Sequence, residues 1–210
     1  SAVVMASAFL ELGLQAWHWS TSFGPTASGG GFELQSGALF ANGFRYANWS
    51  IDVPVLLTHI LVVLGVGGKP FWRYWGQFTV AGLGMIWTGY VGQYYQAVPM
   101  ADGMFAQTGP YWLWFVVSSV FFAWLLALVF RVVGEHRQAL PEGARGQMDN
   151  VRWLLFGSWM LYPVAYLCPA IAFTAESAVS RQILYTVADI SSKVAYGVIL
   201  GRIAVKRSAA

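Results

Sequence analysis

The chain has 210 residues, of which 57% are hydrophobic and only 10% are charged, and its formal net charge at pH 7 is +3. Soluble domains carry about 25% charged residues, so this deficit over a whole chain indicates a lipid environment. The sequence has no basic run with interleaved aromatic residues, which argues against nucleic acid as a partner. The single cysteine, Cys168, excludes an internal disulfide and a cysteine-cluster metal site.

Apolar segments long enough to cross about 30 Å of hydrocarbon recur along the chain. They are Ala2–Trp19, Ile51–Val66 with a polar lead-in from Asn42, Gln77–Tyr95, Tyr111–Val133, Val151–Phe173 and Arg181–Val205. The Gly- and Ser-rich stretch Gly24–Phe40 alternates apolar and polar residues, which predicts a short β-hairpin. Since the other connections are short, we expect an all-α membrane protein, folded as one antiparallel helical bundle over residues 1–210.

Lysine and arginine residues are distributed unevenly between the two ends of this bundle. Arg45 and Arg181 fall at one end, and Lys193 falls within a span. The other end has Lys69, Arg73, Arg131, Arg137, Arg145, Arg152, Arg202, Lys206 and Arg207. Because cytoplasmic loops are rich in basic residues, we expect this second end and the C-terminus to be cytoplasmic. We also expect one more helix before Ser1, which would make seven.

Ionisable residues within a membrane span are costly and usually functional. Five fall within or near the spans, namely Glu11, Asp52, His59, Asp189 and Lys193. Asp189 and Lys193 are four residues apart and therefore share one face of the last helix. Two interpretations of this pair are open at this point. It is either a structural ion pair or a functional buried cation that a carboxylate neutralises.

Polar residues also follow one face of the second span. Arg45, Asn48, Asp52 and His59 have offsets of i, i+3, i+7 and i+14, which approximate one helical face. At about 1.5 Å per residue they extend over about 21 Å of membrane depth, which predicts a polar path through the bundle. His59 is either a satisfied core residue or a proton relay. Glu11 either reaches the outer interface or joins the release path there.

Two prolines lie within predicted spans near this path. Pro54 follows Asp52 by two residues, and Pro163 lies in the fifth span. A proline inside a helix removes a hydrogen bond and crowds the preceding turn. We therefore expect both helices to kink and to open space near Asp52. The aromatic residues around this region do not by themselves identify a cofactor pocket.

Three motifs on three helices resemble those of the microbial rhodopsins. The segment RYANWSIDVP, residues 45–54, resembles the third-helix signature, and WMLYP, residues 159–163, resembles the retinal-pocket motif of the sixth helix. The segment DISSK, residues 189–193, resembles the seventh-helix motif, whose lysine carries the retinal Schiff base. The motifs follow the family's order. The resemblance covers essentially the whole chain, as helices two to seven of a seven-transmembrane-helix bundle with the first helix missing.

This resemblance implies a cofactor and its pocket. It implies all-trans retinal bound covalently to Lys193, with Asp52 and Asp189 as counterions and Ser192 in the same site. It further implies a pocket formed by side chains from several helices. The implied pocket residues are Trp49, Leu56, Met85, Gly89, Trp114, Ser118, Trp159, Tyr162, Pro163 and Tyr166.

Within the family, the identity of three residues on the third helix, the triplet, differs between functional classes. Here it is Asn48, Asp52 and His59, which resembles the Asn-Asp-Gln triplet of the sodium-pumping rhodopsins. The resemblance implies an outward Na⁺ pump in which Asn48, Asp52 and Asp189 bind Na⁺ transiently. His59 departs from this pattern, because histidine can be charged whereas glutamine is neutral. The effect of this departure on ion selectivity is left open.

The resemblance also extends to residues around the triplet. Ser1 corresponds to a serine that binds Asp52 near the Schiff base in that subfamily. We expect Arg45 and Glu11 to gate release at the outer end.

Other functions stay open at this stage. A light-driven proton pump, or a dual Na⁺/H⁺ pump with His59 as proton donor, is the nearest alternative. A photosensor and a light-gated channel are further ones. The sequence has no phosphate loop, metal-ligand cluster or nucleophile–base pair, so we do not expect an enzyme. The expected location is a bacterial inner membrane. The expected partners are the lipid bilayer, the transported ions and further copies of the chain; a carotenoid antenna is left open.

Overall fold

The computed structural model of the protein describes residues 2–38, 40–96, 107–171 and 175–209. Its elements are mainly helical. In chain order they are α1 (Ala2–Ser22), β1 (Phe23–Pro25), β2 (Phe32–Leu34), α2 (Gly43–Leu64), α3 (Gly68–Tyr94), α4 (Gly109–His136), α5 (Glu142–Trp159), α6 (Leu161–Ile171), α7 (Ala175–Ile190) and α8 (Tyr196–Ser208). A short 3₁₀ helix, Arg137–Ala139, follows α4. One π-helical turn, Ser191–Ala195, joins α7 to α8 and is called the π turn.

The helices combine into six rods in the described part of the chain, as the sequence predicts. One rod consists of α5 and α6, and another of α7, the π turn and α8. Four rods are long and apolar enough to cross a membrane, namely Gly43–Leu64, Gly109–Ala139, Glu142–Ile171 and Glu176–Ser208. The other two, α1 and α3, are more polar, since α1 carries Glu11 and Gln15 and α3 begins near Lys69 and Arg73.

The largest errors in the predicted spans are the starts of the third and fifth rods, and for the fifth the apolar run suggests Val151 whereas α5 begins at Glu142. For the third, the apolar run suggests Gln77, but α3 begins at Gly68. The first turns of α3 contain Lys69 and Arg73, so an apolar window excludes them although they are helical. Pro70 lies in the first turn, where a missing N–H leaves no intrahelical bond unmade. Apolar composition marks the part of a helix that lies in lipid, not the point where the helix begins.

A two-stranded antiparallel hairpin caps the end of α1. It pairs Phe23 with Leu34 and confirms the hairpin expected within Gly24–Phe40, although β1 begins one residue earlier. The ring of Trp19 packs against Phe23 and Phe32, with centroids 5.3 and 5.2 Å apart. These aromatic contacts hold the hairpin against the end of the bundle.

Two helical irregularities lie close to the predicted site. The helix is interrupted at Met160, between α5 and α6. Pro163 explains this break, because it has no N–H to donate and its ring crowds the carbonyl of Trp159. Pro54, by contrast, lies inside α2, which runs unbroken. The second irregularity is the π turn that contains Lys193.

Apolar and polar side chains are arranged as in a bundle surrounded by lipid. Large apolar side chains such as Phe9, Trp72, Val120 and Val205 are exposed on the outside of the rods. Charged and polar side chains are instead buried between the rods. They include Glu11, Gln15, Arg45, Asn48, Asp52, Arg181, Asp189, Ser192 and Lys193. Because buried charges are tolerated only when they are paired, the contacts of these interior residues identify the candidate site.

Candidate functional site

Lys193 lies at the centre of the buried polar cluster. Its Nζ atom is 2.8 Å from Asp52 Oδ2 and 3.2 Å from Asp189 Oδ1. The spacing of Asp189 and Lys193 predicts the second contact, and the packing of α2 against the last rod supplies the first. Lys193 belongs to the π turn, a rare irregularity that is frequent at functional sites. The structure thus brings one ammonium group between two carboxylates on different helices.

Asp52 is held by polar side chains from two helices. Asn48 Nδ2 donates a hydrogen bond of 2.8 Å to Asp52 Oδ2. Ser7 Oγ lies 2.9 Å from Asp52 Oδ1 and 2.5 Å from Asn48 Oδ1, so its one hydroxyl proton is available to either oxygen. The resemblance predicts such a serine contact for Ser1, which lies outside the described residues. A sequence signal for Ser7 exists, because Ser7, Glu11 and Gln15 follow one face of α1 at i, i+4 and i+8.

Asp189 accepts hydrogen bonds on both carboxylate oxygens. Trp49 Nε1 and Tyr162 Oη donate to Oδ1 over 2.9 and 2.7 Å, and Arg45 Nη1 donates to Oδ2 over 3.1 Å. Such donors favour the ionised form of a buried carboxylate. The Asp189 carboxylate beside Lys193 is thus stabilised by three donors from other helices.

Arg45 closes one end of the cluster. Its Nε donates to Gln182 Oε1 over 2.8 Å, and its Nη2 donates to Thr186 Oγ1 over 3.0 Å. Its Nη1 is also 3.4 Å from Glu11 Oε1. The guanidinium is thus fixed by α7 on two sides and lies between the carboxylates of Asp189 and Glu11. Sequence reasoning identified Arg45 and Glu11 but missed Gln182 and Thr186, which precede Asp189 by seven and three residues on the same helical face.

A chain of amides continues from Arg45 towards the interior. Gln182 Nε2 donates to Asn42 Oδ1 over 2.7 Å, and Asn42 Nδ2 donates to Gln93 Oε1 over 2.8 Å. Gln93 Nε2 then donates to Tyr185 Oη over 2.8 Å. Each amide NH₂ group donates to the next side chain. These hydrogen bonds connect Arg45 with Tyr185, whose ring packs against Trp49. The sequence gives no direct signal for these contacts, which join residues far apart along the chain.

An apolar cavity lies beside the cluster. Its lining residues are Tyr46, Trp49, Val53, Met85, Ile86, Gly89, Phe115, Ser118, Ser119, Phe122, Trp159, Tyr162, Pro163, Tyr166 and Tyr185. Trp49 and Tyr162 also donate to Asp189 Oδ1, so the cavity ends close to Lys193. A Cβ atom at Gly89 would lie 3.1 Å from Ser118 Oγ, so any larger residue would crowd this wall. An aromatic cavity close to a buried amine suits a long apolar aldehyde.

The cavity includes most of the expected pocket residues. Trp49, Met85, Gly89, Ser118, Trp159, Tyr162, Pro163 and Tyr166 line it. Leu56 and Trp114 are not among the lining residues. Leu56 packs in the core, and its carbonyl accepts a hydrogen bond of 2.5 Å from Tyr196 Oη. The sequence reasoning missed four aromatic lining residues, because aromatic composition alone does not show which way a helix face points. They are Tyr46, Phe115, Phe122 and Tyr185.

The remaining expected site residues lie further from the lysine nitrogen or beside it in the chain. Ser192 is buried in the π turn next to Lys193. His59 is half-buried on α2, two turns further along than Asp52. At about 1.5 Å per residue this places His59 about 10 Å from Asp52 along the helix axis. The structure therefore brings Asn48, Asp52, Asp189 and Lys193 together but not His59.

Comparison with known proteins decides the family. The profile of a family described as bacteriorhodopsin-like protein matches residues 2–207. The chain belongs to this family of microbial rhodopsins. Its members bind retinal through a Schiff base on a lysine. Of the three lysines in this rhodopsin, Lys69 and Lys206 are exposed and only Lys193 is buried. Retinal is therefore the cofactor, and Lys193 is its attachment point.

Individual relatives of this rhodopsin are distant in sequence. It is 24% identical over 168 residues to a green-light absorbing proteorhodopsin from a gamma-proteobacterium, covering 79% of this chain and 62% of the relative. It is 27% identical over 158 residues to bacteriorhodopsin-I of Haloquadratum walsbyi, covering 75% of this chain and 57% of the relative. The chain thus spans less than two thirds of the length of these relatives.

Solved rhodopsin structures share the fold closely. Xanthorhodopsin, described as a light-driven ion pump with dual chromophore, superposes with a TM-score of 0.80 and is 27% identical. The match covers 99% of this chain and 79% of xanthorhodopsin. A thermophilic rhodopsin superposes equally well, with a TM-score of 0.80, 26% identity, and coverage of 99% of this chain and 78% of that structure.

Proposed function

We propose that this rhodopsin is a light-driven pump that moves Na⁺ outward across the membrane. The observation that supports this most is the environment of Asp52. Its carboxylate contacts Lys193 and is held by the neutral side chains of Asn48 and Ser7. Oxygen ligands suit a hard cation, and Asn48 offers one without adding charge. The description of xanthorhodopsin as a light-driven ion pump is in line with this proposal.

The proposed charge switch resides on Asp52. Retinal on Lys193 supplies light absorption and an isomerisation that displaces the lysine nitrogen. Asp52 Oδ2, 2.8 Å from Lys193 Nζ, is placed to accept the proton from that nitrogen. The transfer removes the positive charge at Nζ that would repel a passing Na⁺. Return of the proton from Asp52 to Nζ restores the repulsion and prevents the ion from moving back.

Three oxygen-bearing residues form the proposed transient ion site. Asn48, Asp52 and Asp189 all lie within hydrogen-bonding or ion-pair distance of Lys193 or of one another. A neutral Asp52 and an ionised Asp189 leave one negative charge there, which matches one Na⁺. Arg45 lies beyond Asp189 and has to move before the ion can leave outward. Glu11, on its far side, is placed to attract the guanidinium or the ion.

The direction of transport follows from the proposed orientation of the bundle. Lys206 Nζ donates to Gly143 O, and Arg207 Nη1 donates to Val62 O, so the basic residues gather at one end. Arg181 Nη1 donates to Gln96 at the opposite end. By the preference of basic residues for the cytoplasmic side, the Lys206 end faces the cytoplasm and Arg45 faces outward. We place the protein in a bacterial inner membrane as a multi-pass protein.

A light-driven proton pump is the second candidate, and His59 favours it. In this rhodopsin His59 occupies α2 on the cytoplasmic side of Asp52, where a titratable group can donate a proton inward to the site. The two functions are compatible in one protein, because Asp52 accepts the proton of Lys193 in both. A homo-oligomer remains a prediction, and a carotenoid antenna is left open. The dual chromophore named for xanthorhodopsin is a property of that protein.

The two candidates are separated by light-induced pH changes in cells that express the rhodopsin. With a Na⁺ pump, illumination in NaCl makes the medium more alkaline, because protons enter passively to balance the exported charge. A protonophore enhances that signal. With a proton pump, illumination acidifies the medium in both NaCl and KCl, and a protonophore abolishes the signal. Cells that express the Lys193→Ala variant provide the control for retinal-dependent transport.

Replacing Ser7 by Ala is expected to lower light-driven transport several-fold while the protein keeps its colour. A hydrogen bond to a charged group is worth about 1.5–3 kcal/mol, so losing the hydroxyl changes how Asp52 and Asn48 are held. Ser20→Ala, on the exposed end of the same helix, is the matched control. The initial slope of the pH signal per mole of bound retinal measures the effect. Equal slopes for the two variants would show that Ser7 does not position Asp52.

A further inference from the structure

The buried ionisable groups of the site do not balance in charge. Glu11, Arg45, Asp52, Asp189 and Lys193 are each no more than 3% exposed. Ion-pair contacts connect all five through Arg45 and Lys193. Three of them are acids and two are bases, so the fully ionised cluster has a net charge of −1. An uncompensated charge is very costly in an apolar interior, and the group that carries it usually becomes neutral instead.

The three acids differ in how well their carboxylates are stabilised. Asp52 is contacted by Asn48 and Lys193, and Asp189 accepts from Trp49, Tyr162 and Arg45. Glu11 has only the ion-pair contact of 3.4 Å with Arg45. Among the described residues, neither of its oxygens accepts a hydrogen bond. Of the three acids, Glu11 therefore loses least when it is protonated.

Arg45 favours Asp189 over Glu11. Its Nη1 is 3.1 Å from Asp189 Oδ2 and makes a hydrogen bond there, whereas the contact with Glu11 is longer and lacks that geometry. The other guanidinium nitrogens donate to Gln182 and Thr186 on α7. Arg45 is thus directed towards α7. The charges that face Glu11 are those of Arg45 and Asp52 on α2, Asp189 on α7 and Lys193 in the π turn, and they sum to zero.

We propose that Glu11 carries a proton in the dark state, so that the buried cluster is electrically neutral. Transfer of the proton from Lys193 to Asp52 keeps this neutrality, because it only moves charge within the cluster. A Na⁺ ion that reaches Asp189 raises the net charge to +1. Breaking the O–H bond of Glu11 and passing the proton to outside water restores neutrality, and a proton from water returns when Na⁺ leaves. This second part rests on the proposed function, whereas the dark-state proton does not.

The dark-state proton is tested by infrared spectroscopy of the purified rhodopsin. The spectrum of wild type minus Glu11→Gln should contain the carbonyl band of a protonated carboxylic acid, and deuteration should shift it. Glu33→Gln, at an exposed acid on β2, is the matched control and should leave that band in place. Glu11→Asp should move the band without removing it, which serves as a second assignment if Glu11→Gln folds poorly. A carboxylate band at Glu11 in place of the carbonyl band overturns the proposal.

The visible spectrum gives an independent readout. If Glu11 is neutral in the dark, Glu11→Gln exchanges one neutral group for another and shifts the absorption maximum no more than Glu33→Gln does. If Glu11 is ionised, the same change removes a negative charge beside Arg45 and produces a clear shift, which overturns the proposal. Transient outward proton release, followed with a pH dye in NaCl, should be lost in Glu11→Gln. Absent Na⁺ transport with the infrared band present refutes the sodium pump but not the protonated Glu11.

Discussion

Replacing Lys193 by Ala is expected to abolish visible absorption completely. Lys193 is the only buried lysine of the three, and its nitrogen lies between Asp52 and Asp189, close to the aromatic cavity. Without that nitrogen, retinal has no amine with which to form its covalent linkage inside the cavity. The measurement is the absorption spectrum of membranes to which retinal has been added, compared with wild type at equal protein content.

The other two lysines are the controls for this result. Lys69→Ala and Lys206→Ala should keep full colour, since both residues are exposed near the ends of helices. Lys193→Ala also leaves two buried carboxylates without their cation, and breaking a buried pair in this way costs about 3–5 kcal/mol. Circular dichroism should therefore accompany the spectra, and a Lys193→Ala, Asp52→Asn double variant relieves part of that cost. A coloured, folded Lys193→Ala protein would contradict the assignment.

The parts of the site that sequence predicts are those that depend on one helix at a time. Asp189 and Lys193 are four residues apart, so helical geometry alone places them together. The same reasoning places Asn48 next to Asp52 and predicts a break near Pro163. The structure agrees at each of these points, with a contact of 3.2 Å, a hydrogen bond of 2.8 Å and an interruption at Met160.

The parts that sequence does not predict depend on how helices pack against one another. Ser7 reaches Asp52 only because α1 lies against α2, and no periodicity within α1 identifies its partner. The hydrogen bonds of Arg45 to Gln182 and Thr186 likewise join α2 to α7. The resemblance to a family supplies part of this missing information, because it implies which helices meet. It points to Ser1, which lies outside the described residues, and it does not indicate the contact of Ser7 with Asp52.

The electrostatics of the site explain why one lysine has two acids. If only one carboxylate lay beside Lys193, it would become neutral when it accepted the proton. No ionised carboxylate would then remain between Lys193 and Arg45. In the proposed cycle, Asp189, with three donors on its oxygens, keeps its charge while Asp52 changes its own. The two carboxylates therefore have different proposed roles. One maintains the field at the site, and the other switches it.

Replacing Asp52 by Asn is expected to reduce light-driven ion transport by about a hundredfold or more. Asparagine cannot accept the proton of Lys193, and positioned proton acceptors contribute about 10²–10⁴-fold to the reactions they serve. The protein should remain coloured, because Asp189 still neutralises the lysine nitrogen. The absorption maximum should move to longer wavelength, since a counterion has been lost. The pH signal of illuminated cells in NaCl, per mole of bound retinal, measures the change.

Asp149→Asn is the matched control for this experiment. Asp149 also pairs with basic side chains, Arg137 and Arg152, but it lies at the opposite end of the fold from Arg45 and outside the buried cluster. Its replacement should leave colour and transport near wild type, because ion pairs that solvent reaches are worth about 0–1 kcal/mol. If Asp52→Asn transports as well as Asp149→Asn, Asp52 cannot be the proton acceptor. The charge switch would then have to reside on Asp189, whose three hydrogen-bond donors oppose its protonation.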